Sequence, residues 1–175
     1  MNAFEFENLY EKYSIDINNM TCVMLKTQDI PVDTLLDERK LFFADKEHLP
    51  FVQGAVASNN SHITLHQSLL PCVTDEDIDL VLDGCEPAGF VTINSIETFT
   101  GQEYSTIVAK VNVDDWILEA HTRLSFLPHV DLFEDFIPHI TLAYVVPGYV
   151  DEAVERLSFL VGQTKTTAAR MSPYL

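Results

Sequence analysis

Basic residues are scarce in this chain. Ten Lys and Arg stand against 27 Asp and Glu, a formal net charge of −17 over 175 residues. Proteins hold long nucleic acids by neutralising phosphates with Lys and Arg. This balance therefore argues against a groove that tracks RNA or DNA and leaves room for a small phosphate ligand in a local pocket. The acidity itself serves solubility. Cysteine is also sparse: Cys22, Cys72 and Cys85 make an odd set with no CxxC spacing. That speaks against a disulfide framework and against a zinc site, and the three are expected as buried free thiols. No apolar run approaches the roughly 18 residues of a membrane span. The opening "MNAFEFENLYEKY" has neither the basic stretch nor the small-residue cleavage site of a signal peptide. A soluble, cytoplasmic protein without a membrane partner is expected. A hydrophobic fraction of 47% supplies the core of a single domain spanning 1–175.

Periodicity then orders the chain. Residues 4–13 carry Phe6, Leu9, Tyr10 and Tyr13 at helical spacing. "TCVMLKT" is of strand length, and "PVDTLLDE" opens on a proline suited to a first helical position. From Leu41 to Ser61 no period holds. A loop of that length is either a lid or a surface loop with Phe42, Phe43 and Phe51 tucked beneath it. "VTDEDIDLVLDG" reads as a helix with Thr74 as cap, Asp77 at the capping-box position and Gly84 at its end. "GFVTINSIETF" and "YSTIVAKVNV" read as a hairpin. Helices follow in "DDWILEAHTRLSFLP", closed by Pro128, and in "VDEAVERLSFLVG", capped by Asp151. "QTKTTAARM" reads as a last strand. Strands and helices mix without βαβ alternation, which predicts an α+β fold with antiparallel pairing.

One tetrapeptide occurs twice, as "HITLHQSLL" from His62 and "HITLAYVVP" from His139, each in a strand followed by a helix. This hints at two related halves. Side chains alternate along a strand, so His62 and Thr64 share one face while Ile63 and Leu65 share the other. His139 and Thr141 stand likewise against Ile140 and Leu142. The Ile/Leu face anchors each strand. The His/Thr face presents an imidazole and a hydroxyl about 7 Å apart. Two such strands across a cleft would supply two imidazoles as general base and acid, and two hydroxyls for the non-bridging oxygens of a phosphate. That set describes phosphodiester cleavage with no requirement for a metal or other cofactor.

The paired H-x-T motifs resemble those of the two-histidine phosphoesterase superfamily, which includes the 2′-5′ RNA ligase-like (LigT-like) proteins. The resemblance runs from about Thr21 to the C-terminus, and "PHITLAYVVPG" closely resembles the second motif of phage-type members. It implies a bilobal fold, two antiparallel sheets forming a central cleft with helices outside and one motif per lobe, at 62–65 and 139–142. It also implies His62, Thr64, His139 and Thr141 as the catalytic tetrad. Substrates in the superfamily include RNA ends with 2′,3′-cyclic phosphate, ADP-ribose cyclic phosphate, 2′-5′ oligoadenylates and cyclic oligonucleotides. Its phage members include anti-CBASS nucleases, which destroy cyclic-nucleotide alarm signals. With no basic patch to hold tRNA-sized partners, a small cyclic nucleotide or oligonucleotide is the expected substrate. A ligase-like RNA-end enzyme and a nucleotide-sequestering sponge are the rivals.

Three further residues are candidate substrate contacts. Period two places His66 on the face of His62 and Thr64, where it would reach a base or ribose at the cleft rim. The two histidines would stand roughly 13 Å apart on a strand, too far to share an ion. Trp116, the sole Trp, either stacks on a base or packs in the core. Period two turns Tyr144 away from the tetrad, so packing competes with binding there. His48, His121 and His129 are expected at the surface. Lys26, Arg39, Lys110 and Arg123 are the candidate cationic partners for phosphate. "HVDLFEDF" (129–136) is an acidic loop that either repels long polyanions or is a solvated turn.

Overall fold

The computed structural model describes residues 20–41, 61–112, 114–132, 135–168 and 171–174. The expected helix at 4–13 and most of the 41–61 loop, with Phe42, Phe43, His48 and Phe51, lie outside them.

Seven strands are hydrogen-bonded edge to edge: β1 (Thr21–Lys26), β2 (His62–Leu69), β3 (Phe90–Thr100), β4 (Ser105–Val111), β5 (His139–Val145), β6 (Thr164–Thr166) and β7 (Ser172–Tyr174). Their order is β6-β3-β4-β5-β2-β1-β7, and every pairing is antiparallel. Among the described residues the α-helices are α1 (Val32–Leu35), α2 (Asp75–Leu82), α3 (Asp115–Leu124) and α4 (Val150–Leu157). The α+β class and the antiparallel pairing are therefore as expected. The two separate sheets are not seen. One curled sheet runs through both motif strands, and its halves meet where β2 registers with β5 at Ile63 and Ile140. The order strand, helix, motif strand, helix occurs twice, as β1-α1-β2-α2 and β4-α3-β5-α4.

Local chemistry sets the element ends. The Thr74 hydroxyl accepts from the Asp77 amide while the Asp77 carboxylate accepts from the Thr74 amide, closing the capping box of α2. The last helix begins at Val150, with Tyr149 in the capping position, so Asp151 lies in the first turn and does not cap it. There it still faces the positive end of the helix dipole. The hairpin turns at Gly101, where a Cβ would lie 2.5 Å from the Tyr104 carbonyl oxygen, so only glycine fits. "QTKTTAARM" supplies β6, and a further strand, β7, closes the opposite sheet edge against β1. All three cysteines are free, but Cys72 is exposed and only Cys85 is buried.

One face of the sheet is apolar and carries the helices. Val23, Leu25, Ile63, Leu65, Ile107, Ala109, Ile140 and Leu142 are buried there with Ile78 of α2, Ile117, Ala120 and Leu124 of α3, and Ala153 and Leu157 of α4. Among the described residues no helix is long and apolar enough to cross a membrane. Ile63 and Ile140, both fully buried, sit at the centre of this core. Replacing Ile140 with Ala should cost about 2 to 5 kcal/mol, and with Val only about 1. The urea midpoints of the two variants measure this.

Candidate active site

Antiparallel register builds the site. With Ile63 opposite Ile140, one step along the pair sets His62 across from Thr141 and Thr64 across from His139. Paired residues point to the same side of a sheet. Both isoleucines face the core, so all four His and Thr side chains project from the opposite face, where each is half-buried. Neighbouring strands lie about 4.8 Å apart, so four functional groups converge over one seam, each His beside a Thr.

His139 is held in one tautomer. Its Nδ1 donates to the Ile137 carbonyl at 2.7 Å, so Nε2 keeps the lone pair. Phe99 of β3 packs edge-on against the ring, 5.3 Å between centroids. Burial holds the His139 pKa below the ordinary imidazole value; the Ile137 bond opposes the shift, and the charges of His62 and Lys110 add to it. Cys22 of β1 is in hydrogen-bond contact with Thr64, and its own burial pushes the thiol up to about 11, so it stays protonated. Among the described residues no group of three or more His, Cys, Asp or Glu is arranged to hold a metal ion.

Each motif strand breaks its alternation just after HITL. In β2, Met24 pairs with Thr64 but Val23 pairs with His66. In β5, Val108 pairs with Thr141 but Ile107 pairs with Ala143. An extra residue is thereby inserted at Leu65–His66 and at Leu142–Ala143, a β-bulge at the same place in both repeats. From the motif histidine onward, seven residues of each strand share one burial pattern.

The bulges redirect two predicted contacts. Tyr144 pairs with Thr106, which shares its face of β4 with Val108, the partner of Thr141. Tyr144 therefore joins the tetrad face, against the simple period-two reading. There it meets Tyr104 edge-on at 5.7 Å, and burial pushes its phenol up to about 12, keeping it a hydrogen-bond donor. His66 goes the other way. It pairs with the core residue Val23 and lies buried on the helix side, so it does not share the tetrad's face. Trp116 also lies on the helix side, in α3, partly buried against the core, and its carbonyl accepts from Cys85 Sγ at 3.6 Å. Of the candidate substrate contacts, only Tyr144 shares the tetrad's face.

The expectation that His121 and His129 are simple surface residues also fails. His66 stacks on His121 of α3 at 5.3 Å and meets His129 edge-on at 4.9 Å. His121 Nδ1 donates to the Leu65 carbonyl at 2.7 Å and stacks on Phe136 of the acidic loop. His129 is brought there because 128–130 bonds alongside the end of β2, through Leu70 to Pro128 and Val130 to Ser68. The cationic candidates divide as well. Arg39 pairs with Asp37, and Arg123 binds Glu119 and the carbonyls of Val81 and Asp83. Lys26 and Lys110 remain on the tetrad's face.

No protein-family model matches the chain, and no curated protein sequence does. Solved structures do share its fold. Kluyveromyces marxianus Usb1 with uridine monophosphate aligns at a TM-score of 0.51 and 6% identity, over 91% of this chain and 95% of that one. A further structure of Kluyveromyces marxianus Usb1 aligns at 0.46 and 6% identity, over 89% and 97%, which adds no weight. At such identity the likeness is one of fold.

Burial lowers the His66 pKa from 6.5 to about 4, helped by the neighbouring His121 and His129. Between those values the unfolded chain binds a proton that the folded chain refuses, so this contribution is complete above pH 6.5 and is lost as pH falls toward 4. Wild type should lose about 3 kcal/mol across that window relative to His66→Phe. Denaturant titrations of both proteins at several pH values test it; parallel pH profiles would refute it.

Proposed function

We propose that the chain is a metal-independent phosphodiesterase that cleaves small cyclic nucleotides or oligonucleotides by two-histidine acid–base catalysis. The observation that carries this reading is the crossed pairing of His62 with Thr141 and Thr64 with His139 about the Ile63–Ile140 seam. The fold shared with Usb1, solved with uridine monophosphate, supports it. So does the double H-x-T sequence.

In this scheme the Thr64 and Thr141 hydroxyls donate to the two non-bridging oxygens of the scissile phosphate and hold it over the seam. His139, kept neutral with Nε2 free, takes the proton from the attacking oxygen of water or of a ribose hydroxyl as that oxygen bonds to phosphorus. His62, in its protonated form, gives its proton to the leaving oxygen as the other P–O bond breaks. The charge that develops on the phosphate oxygens meets donors already in place. Tyr144 and Tyr104 border the phosphate position and offer aromatic surface to a base or sugar. The net charge of −17 favours a short substrate over a long polyanion. A cyclic oligonucleotide alarm signal of bacterial defence, as cleaved by the phage-type members, fits that description. The Usb1 likeness, with uridine monophosphate in that structure, favours a second reading: processing of an RNA end.

His62→Ala and His139→Ala should each lower kcat by about 10²- to 10⁴-fold on whichever of a cyclic di- or trinucleotide and a 2′,3′-cyclic phosphate RNA is cleaved, with full wild-type activity in EDTA. Chromatography of the products tests this. Activity that vanishes in EDTA and returns with Zn²⁺ or Mn²⁺ would sink the proposal. Because the His139 pKa is lowered, the base remains deprotonated below the usual imidazole range. The acidic limb of kcat/KM should therefore fall below pH 6.5.

A further inference from the structure

Lys26 lies opposite His62 in the β1–β2 pair, and Lys110 lies opposite His139 in the β4–β5 pair. Each motif histidine thus has a lysine at the same register position on its outer neighbouring strand. Both lysines are on the tetrad face. Lys26 follows Cys22 and Met24 in alternation with the buried Val23 and Leu25, and Lys110 alternates with the buried Ala109 and Val111. In a chain with only ten Lys and Arg this is a large share of the cations. The other described cations are engaged elsewhere: Arg39 with Asp37, Lys40 and Arg156 with Glu152, Arg123 with Glu119 and Lys165 with Gln163.

The lysines stand on either side of the seam. Three strand spacings separate β1 from β4, about 14 Å. The Lys110 ammonium is drawn outward, 3.1 Å from the Glu97 carboxylate on β3, which Ser95 holds in turn at 2.9 Å. Glu97 thus anchors the cation on the far side of β4 from the seam. The central phosphate position already has four groups of its own, while a lysine is a flexible point charge well suited to phosphate.

We infer that Lys26 and Lys110 are specificity residues that each contact a phosphate flanking the scissile one, so that the cleft takes an oligonucleotide, linear or cyclic, with a phosphate on both sides of the bond it cuts. The inference rests on the phosphodiesterase reading of the same cleft and narrows its substrate class. A lone cyclic mononucleotide or a bare dinucleoside monophosphate would leave both lysines without a phosphate.

The test compares a diadenosine monophosphate with the same dinucleotide phosphorylated at its 5′ and 3′ ends. Calorimetric binding is measured on wild type, Lys26→Met, Lys110→Met, the double variant, and the Lys26→Arg and Lys110→Arg controls, with thermal melts to check folding. Wild type should bind the end-phosphorylated probe at least tenfold more tightly. Each Met variant should lose part of that ratio, the double variant nearly all, and the Arg variants little. Each Met substitution should also reduce the slope of log K against log salt by about 0.7 for the end-phosphorylated probe. Equal binding of the two probes by wild type, or an undiminished ratio in the double variant, would overturn the inference. Cleavage of the same probes is scored separately. Cleavage without phosphate preference leaves the phosphodiesterase standing and removes the flanking contacts. Lysine-dependent preference without cleavage of any probe supports the contacts and counts against the enzyme.

Discussion

The contact between Ile63 and Ile140 at the seam of the sheet governs the rest of the molecule. Each isoleucine is driven into the core by the apolar faces of the helices packed beneath. Because side chains alternate, burying the isoleucine forces the histidine before it and the threonine after it onto the other face. Because the strands run antiparallel, pairing the two isoleucines crosses the motifs, so that each histidine meets the other motif's threonine. A shift of one residue in this register would bury polar groups and expose isoleucine, which makes the register costly to change. Hydrophobic burial on one side of the sheet thus sets the positions of the motif histidines and threonines on the other.

The repeat extends further than four residues. Both motif strands insert a bulge after the leucine of HITL, and both regain their alternation with the faces exchanged. The displaced residues differ in chemistry: Ala143 in one half disappears quietly into the core, whereas His66 in the other carries an imidazole there. That ring packs against His121 and His129, supplied by the helix above and by the segment that pairs with the end of β2. The same device that removes His66 from the tetrad's face delivers Tyr144 to it.

Charge follows a similar logic. The surface is strongly acidic, yet two of its few lysines lie beside the two motif histidines. Against His139 the ammonium of Lys110 discourages protonation, in the same direction as burial by Phe99 and the strands. Glu97 tempers this by pairing with Lys110, a partly exposed ion pair that contributes little stability and fixes where the positive charge stands.

Much of this was legible in the chain. The doubled HITL, the antiparallel α+β class, the hairpin, the capping box of α2 and the shared face of His62 with Thr64 and of His139 with Thr141 follow from local rules of alternation and capping that each segment obeys alone. What only the tertiary structure decided depends on how strands register with partners distant in sequence. No glycine or proline marks the bulges, so nothing local revealed that His66 turns inward and Tyr144 outward. The two separate sheets expected from family resemblance became one because the motif strands pair at their isoleucines. The lysines were ordinary charged residues until β1 and β4 were aligned against their neighbours, since a side chain's role beside a histidine is set by pairing across strands, and pairing is a property of the assembled sheet.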